Sequence, residues 1–209
     1  EGLALLDTLP GAIFAEMFGS PYSPKVDTSK LSDLAVMDMG QSPPGSSYNE
    51  EGLGVPLLNG PAEFTQEHPI AVQWTDKPAK ICQADDLLFC VRGATAGRTN
   101  IADKSYCLGR GLAAIRSKNG DPDIQEFLNV TIPLMYSYFQ STGVGSTFIN
   151  ISKTELANTP IPKPTKGNAR LIASISRRTI EMRTRTKRHL AELENLFASL
   201  QSRAFAGEL

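Results

Sequence analysis

The chain of 209 residues is 41% apolar and 21% charged with a formal net charge of −1, an ordinary composition for a globular protein able to bury a sizeable core. No apolar run approaches the roughly 18 residues needed to span a bilayer, and no basic-then-apolar leader precedes the first element, so no membrane association is expected and the cytoplasm is the expected location. Cys82, Cys90 and Cys107 lack Cys-x-x-Cys spacing and His68 and His189 are the two histidines, which argues against a disulfide framework, a structural zinc or any other metal site and leaves three buried thiols as the expectation.

Residues 5–15 (Leu5-Leu6-Asp7-Thr8-Leu9-Pro10-Gly11-Ala12-Ile13-Phe14-Ala15) are echoed by residues 196–206 (Leu196-Phe197-Ala198-Ser199-Leu200-Gln201-Ser202-Arg203-Ala204-Phe205-Ala206). The chain thus ends on a helix tail resembling the one it begins with, the mark of a duplicated object. Residues 1–19 read as the tail of a preceding helix whose body lies upstream or on a second molecule.

Charge is segregated along the next hundred residues. Residues 31–90 hold nine acidic groups against Lys77 and Lys80, whereas in residues 91–118 Arg92, Arg98, Lys104, Arg110, Arg116 and Lys118 face only Asp103. A local field of this kind attracts phosphates whatever the total charge, and the same residues also fit a solvated strand face. Residues 87–92 predict a short strand after an Asp85-Asp86 turn, residues 98–102 a second strand beyond the Gly93–Gly97 loop, and residues 112–115 a third after Gly109-Arg110-Gly111. Residues 123–140 have helical spacing at Ile124, Phe127, Leu128, Leu134 and Tyr138, interrupted by Pro133. The Gly143–Thr147 loop precedes Ser152-Lys153-Thr154-Glu155, which fits a capping box.

Pro160-Ile161-Pro162-Lys163-Pro164 predicts a stiff extended connector at a domain boundary, giving a tail (1–19), a globular unit (20–164) and a long helix (165–209). Asn168 is the expected N-cap, with Gly207 as the stop. Positions 172, 175, 179, 182, 186, 189, 193, 196, 200 and 203 keep the three-and-four spacing of a coiled-coil seam, with Ile172, Ile175, Met182, Leu193, Leu196 and Leu200 as apolar pairing residues. Arg177, Arg178, Arg183, Arg185, Lys187 and Arg188 face only Glu181 and read as a solvated face more readily than as a phosphate contact. A rod of this length needs a partner helix.

Catalytic signatures are missing. There is no Gly-x-x-x-x-Gly-Lys-Ser/Thr loop, Gly-x-Ser-x-Gly elbow or His-Glu-x-x-His pair. The Gly93–Gly97 loop joins strand to strand and lacks the helix N-terminus that binds pyrophosphate. Ser42-Pro43-Pro44-Gly45 lacks the flanking groups that hold a flipped base for methylation. What remains is recognition: Arg92 and Arg98 flank a glycine loop carrying Thr95, and Gln41, Ser42, Ser46, Ser47, Tyr48 and Asn59 add neutral donors and acceptors suited to base edges. Lys104, Arg110, Ser146 and Thr147 complete the DNA-contact candidates.

Several motifs in order resemble the specificity subunit of type I restriction–modification enzymes: Lys30–Ala35, Gly40-Gln41-Ser42-Pro43-Pro44, Val55–Gly60, Asp86–Phe89, Val91–Arg98, Gly109–Ile115, Gly145-Ser146-Thr147, Pro160–Pro164 and Ala204–Leu209. The resemblance implies an α+β fold: a mixed globular target recognition domain with a twisted, hairpin-rich sheet and short helices, followed by a long coiled-coil-forming helix. It implies a non-catalytic reader of one half of a split double-stranded DNA sequence, with its helix paired antiparallel as a spacer to a second copy or to the missing half. Methyltransferase subunits carrying S-adenosylmethionine, and an ATP-driven restriction/translocase subunit, are the implied partners; no cofactor is expected on this chain. An assembly adaptor whose globular part binds protein is the competing expectation, and an enzyme ranks third.

Overall fold

The computed structural model describes residues 2–19, 27–142 and 149–207. Ten strands and six α-helices follow one another among these residues. They are α1 (Gly2–Phe18), β1 (Thr28–Lys30), α2 (Leu31–Leu34), β2 (Ala35–Met39), β3 (Tyr48–Asn49), β4 (Val55–Leu58), β5 (Gln73–Thr75), β6 (Leu87–Cys90), β7 (Thr99–Ile101), β8 (Cys107–Leu108), β9 (Leu112–Ser117), α3 (Pro122–Leu134), α4 (Tyr136–Thr142), α5 (Lys153–Asn158), β10 (Pro160–Pro162) and α6 (Lys166–Phe205).

The central sheet has the order β2-β9-β6-β7, every neighbour antiparallel. Side chains alternate across it with the period of two that a pleated strand imposes. Leu87, Phe89, Ala113 and Ile115 join one core with Phe14, Phe127, Phe139 and Ile172 from the helices. Leu88, Cys90, Leu112 and Ala114 join the other core with Leu58, Tyr106 and Leu108. Burial on both faces explains why these strands read as continuous apolar runs, each large side chain contributing about 1.5–3 kcal/mol. A second sheet, β3-β5-β4-β8, lies beyond the second core. All three cysteines are buried and unbridged, and burial pushes the Cys82 thiol up to about 11.

Helix boundaries follow local chemistry. The Asp121 carboxylate accepts from the amides of Asp123 and Ile124 with Pro122 in the first turn, and Pro133 sits one residue before the end of α3. Ser152 and Glu155 form the expected capping box, at 3.2 and 2.7 Å. At α6 the cap is Thr165, whose hydroxyl accepts from the Asn168 amide, so Asn168 lies inside the helix.

The proline-rich connector is structural. Pro160–Pro162 pairs antiparallel with Thr28–Lys30, and Ile161 is fully buried in the helical core. Proline suits this two-stranded ribbon because it needs few ladder donors. From there α6 extends about 60 Å at 1.5 Å per residue, and it has two regimes. Ala169, Ile172, Ala173, Ser176 and Thr179 are buried against the globular body, and Arg177 pairs with Asp123 at 2.7 Å and Lys187 with Glu67. Residues 188–207 are exposed throughout. Ile172, expected to face a partner helix, is instead 1% exposed within the chain's own core.

Among the described residues, no helix is long and apolar enough to cross a membrane.

Candidate nucleic-acid interface

Strand register decides where the basic residues go. Met39 and Phe89 both lie opposite Ala113, Cys90 opposite Leu112, and Phe89 opposite Thr99. One end of the central sheet therefore gathers Gly40-Gln41, Val91-Arg92, Arg98 and Arg110-Gly111. The other end pairs Leu87 with both Ile101 and Ile115, and it gathers Lys104, Arg116 and Lys118. What the sequence presents as one basic stretch is divided between two ends about a strand length apart.

The arginine-bearing end is stitched by backbone bonds: Gly40 N–H to Leu112 O, Gln41 N–H to Leu108 O and Cys90 N–H to Arg98 O at 2.8 Å, and Val91 N–H to Gly111 O at 2.9 Å. Glycine permits these approaches. A Cβ on Gly40 would stand 2.2 Å from Gly109 O and 2.8 Å from Leu112 O, and one on Gly111 would stand 2.8 Å from Asn59 O. Asn59, Gly109, Arg110 and Gly40 are thereby locked into one loop cluster, where Ser42 Oγ accepts from the Arg110 amide at 3.2 Å.

Gln41, Arg92, Arg98 and Arg110 are exposed. Arg92 Nε donates to Asn150 Oδ1 at 2.9 Å, which fixes part of the guanidinium and leaves its outer nitrogens directed elsewhere. The Gly93–Gly97 loop is held by Gln140, whose side-chain amide donates to Ala96 O at 2.6 Å and Ala94 O at 3.3 Å. Gly97 has φ +92°, and its missing Cβ would stand 2.9 Å from Phe139, so the loop can sit flat on α4.

Other candidates have different surroundings. Thr95 is half-buried with Oγ1 3.7 Å from Cys90 Sγ, which draws its hydroxyl inward. Ser47 is buried and hydrogen-bonded to Thr75 at 2.7 Å, whereas Ser46 is exposed and Tyr48 half-buried beside it on the second sheet. Asn59 is exposed, and its amide donates to Gln73 Oε1 at 3.2 Å. Lys104 lies at the opposite end of the sheet over the Tyr106 ring, 5.6 Å from its centroid, outside the cluster. Arg116 is committed to Asp86 through two bonds of 2.6 Å. Ser146 and Thr147, with the rest of the Gly143–Thr147 loop, lie outside the described residues.

Asn150, Gln140 and Gln73 were not singled out in the sequence. Each acts on a partner 14 to 58 residues away, for which local spacing carries no signal. On α6, Ile175 is half-buried, whereas Met182, Leu193, Leu196 and Leu200 are exposed by 57, 62, 56 and 40% along the projecting half.

A cluster of exposed arginines and amides on a glycine-packed loop platform is chemically suited to phosphates and base edges. Comparison with known proteins identifies the family. Residues 24–195 match the type I restriction modification DNA specificity domain. A type I restriction enzyme MjaX specificity subunit of Methanocaldococcus jannaschii is 42% identical over 135 residues, 65% of this chain and 31% of that protein. The HsdS subunit from Thermoanaerobacter tengcongensis superposes with a TM-score of 0.68 at 30% identity, covering 99% of this chain and 52% of that one. A structure described under complex assembly and conformational transition of the type I R-M system gives the same score and identity, covering 100% and 53%. The M. genitalium S subunit, at 18% identity and a TM-score of 0.58, shares the fold. The chain thus spans about half the length of these solved relatives and under a third of the curated one. With a matching segment that runs through both sheets and most of α6, the chain belongs to the type I restriction modification DNA specificity domain family.

Proposed function

We propose that this chain reads one half of a bipartite double-stranded DNA target as part of a type I restriction–modification specificity subunit. The observation that carries the reading is the convergence of Gln41, Ser42, Asn59, Arg92, Arg98 and Arg110 on one end of the central sheet, three of them arginines with exposed guanidinium groups. Guanidinium groups reach phosphates, or bind guanine O6 and N7 in a bidentate manner, while the amides of Gln41 and Asn59 match adenine N6 and N7. Asn150 sets the orientation of Arg92 as a positioning residue.

In this reading the chain is non-catalytic. Methyl transfer belongs to partner subunits carrying S-adenosylmethionine, and ATP-driven translocation or cleavage to a further subunit. The projecting half of α6 is the spacer, pairing through Met182, Leu193, Leu196 and Leu200 with a second copy or the other half of a longer subunit.

Gel shifts with a randomised duplex pool, followed by sequencing of the bound fraction, test the reading. Enrichment of a short half-site that is lost in the Arg92→Ala/Arg98→Ala variant is the expected result. A pool recovered without any sequence preference, from protein that still assembles with methyltransferase subunits, rejects it in favour of an assembly adaptor.

A further inference from the structure

Residues 55–75 contain Glu63 and Glu67 and no lysine or arginine, yet they border the arginine platform. Register places them there. Leu57 lies opposite Gln73, so Asn59 and residues 70–72 occupy the same end of the second sheet, and Gly109 N–H donates to Leu58 O at 2.8 Å, joining that end to Arg110. With neighbouring strands about 4.8 Å apart, Gln73 stands about 10 Å across the platform from Arg110, roughly three base-pair steps. A stretch without cations offers phosphates no opposite charge. What it presents is amides and apolar side chains.

This rim is held rigidly. The Glu63 carboxylate accepts from the amides of Asn59 at 3.4 Å and Gly60 at 3.1 Å, and Ile70 N–H donates to Glu63 O at 2.9 Å. Pro69 is buried, with Tyr106 Oη donating to its carbonyl at 2.9 Å, and Ala71 packs on the second core. Val72, next along the chain, is nevertheless 63% exposed. Asn59 Nδ2 donates to Gln73 Oε1 at 3.2 Å, and a Cβ on Gly109 would stand 2.9 Å from Asn59 Oδ1, so the Asn59 side chain is wedged between Gly109 and Gln73. That bond sets which way the Gln73 amide faces. Its Oε1 keeps one lone pair, and Nε2 has no bond to any described residue.

We propose that Gln73, braced by Asn59, and Val72 together read an A·T pair in the DNA half-site. Gln73 Nε2 donates to adenine N7 while Oε1 accepts from adenine N6, and the Val72 methyls pack on a thymine C5-methyl. This rests on the DNA reading proposed above and adds to it two residues and the base pair they select. The free pattern on Gln73 is a donor beside an acceptor, and adenine alone among the four bases shows the complementary acceptor and donor side by side in the major groove. Thymine alone carries a methyl group there, which gives an exposed valine an apolar surface to cover. Glu63, lying beside Asn59, repels phosphates and so favours base edges over the backbone at this rim.

The randomised duplex pool bound to the full chain tests Gln73. Gln73→Ala relaxes one A·T position of the enriched half-site by about tenfold and leaves the others unchanged. Gln73→Glu, which offers acceptors alone, shifts that position from adenine to cytosine, whose N4 is a donor. A pool that shows no preference with the parent chain overturns the DNA reading, and this inference with it. An enriched half-site that Gln73→Ala leaves unaltered, or relaxes evenly at every position, overturns the inference alone, as does a Gln73→Glu chain that keeps adenine or gains no cytosine. Val72 has its own test, in which each thymine of the half-site is replaced by deoxyuridine. Loss of one methyl weakens the parent about threefold, and Val72→Ala binds the two duplexes alike. A parent indifferent to every replacement, or a Val72→Ala chain that keeps the penalty, overturns the role of Val72. Both side chains are partly or largely exposed, so an unchanged Tm checks that each variant folds.

Discussion

Arg116 grips Asp86 through two bonds of 2.6 Å, joining the last turnward residues of β9 to the start of β6 at the sheet end remote from Arg92 and Arg98. Asp86 is 1% exposed, so this carboxylate depends on the guanidinium for its charge compensation. Removing one partner of a buried pair leaves the other uncompensated, and Arg116→Ala is expected to lower stability by about 3 kcal/mol in urea unfolding. DNA affinity of the folded fraction stays unchanged. A variant as stable as the parent, or one that loses DNA binding while folded, contradicts this division of the basic residues.

At the opposite end, each arginine that neutralises a phosphate releases counterions and steepens the dependence of log K on log salt by about 0.9. Arg92→Ala/Arg98→Ala is therefore expected to reduce that slope by roughly 2 if both meet phosphates. Asn150→Ala, which frees Arg92 without removing it, should weaken binding less and leave most of the slope in place. Titrations at several salt concentrations separate the two.

Backbone approach in the loop cluster is tight enough to forbid a methyl group. Gly40→Ala would place a Cβ 2.2 Å from Gly109 O and 2.8 Å from two further carbonyls, so the β2 and β9 ends must part. Overpacking of this kind costs about 1–3 kcal/mol. Because the displaced residues flank Gln41 and Arg110, DNA binding should fall together with Tm. Gly45→Ala, where no atom lies within 4 Å, is the control that changes neither.

Local signals made much of the fold legible: the Ser152–Glu155 box, the Pro133 break and the short apolar runs of the central sheet all act within a few residues. The arginine pair around the Gly93–Gly97 loop was legible for the same reason. Four features were not. The Arg92–Asn150 bond spans 58 residues and the Arg116–Asp86 pair 30, and only the antiparallel register divides the basic stretch between two sheet ends. Ile172 keeps seam spacing, but spacing along a helix cannot distinguish a stripe facing its own core from one facing a partner.

Acid should loosen the middle of α6 from the globular body. The Lys187 ammonium, first by hydrogen bond and then by charge, holds the Glu67 carboxyl below its ordinary value of 4.5. A depressed carboxyl contributes stability above its unfolded pKa and loses it as pH falls through the folded value. Hydrogen exchange around residues 183–190 should therefore quicken below pH 4.5 relative to neutral pH. Glu67→Gln should be insensitive in that window and already faster at neutral pH. Equal pH profiles in the two proteins would place the anchorage elsewhere.

The two halves of α6 should answer the same substitution differently. Ile172 is 1% exposed among Phe14, Phe127 and Leu128, so Ile172→Ala removes buried methylenes and leaves a cavity, a loss of about 2–4 kcal/mol. Leu193 and Leu196 are 62 and 56% exposed, and replacing them with lysine should change monomer stability by no more than about 0.5 kcal/mol. Their effect belongs to association: sedimentation of the double variant should give a monomer at concentrations where the parent pairs. A fall in monomer Tm on Leu193→Lys/Leu196→Lys would mean that the projecting half packs on its own globular body, and the spacer reading of α6 would then fail with it.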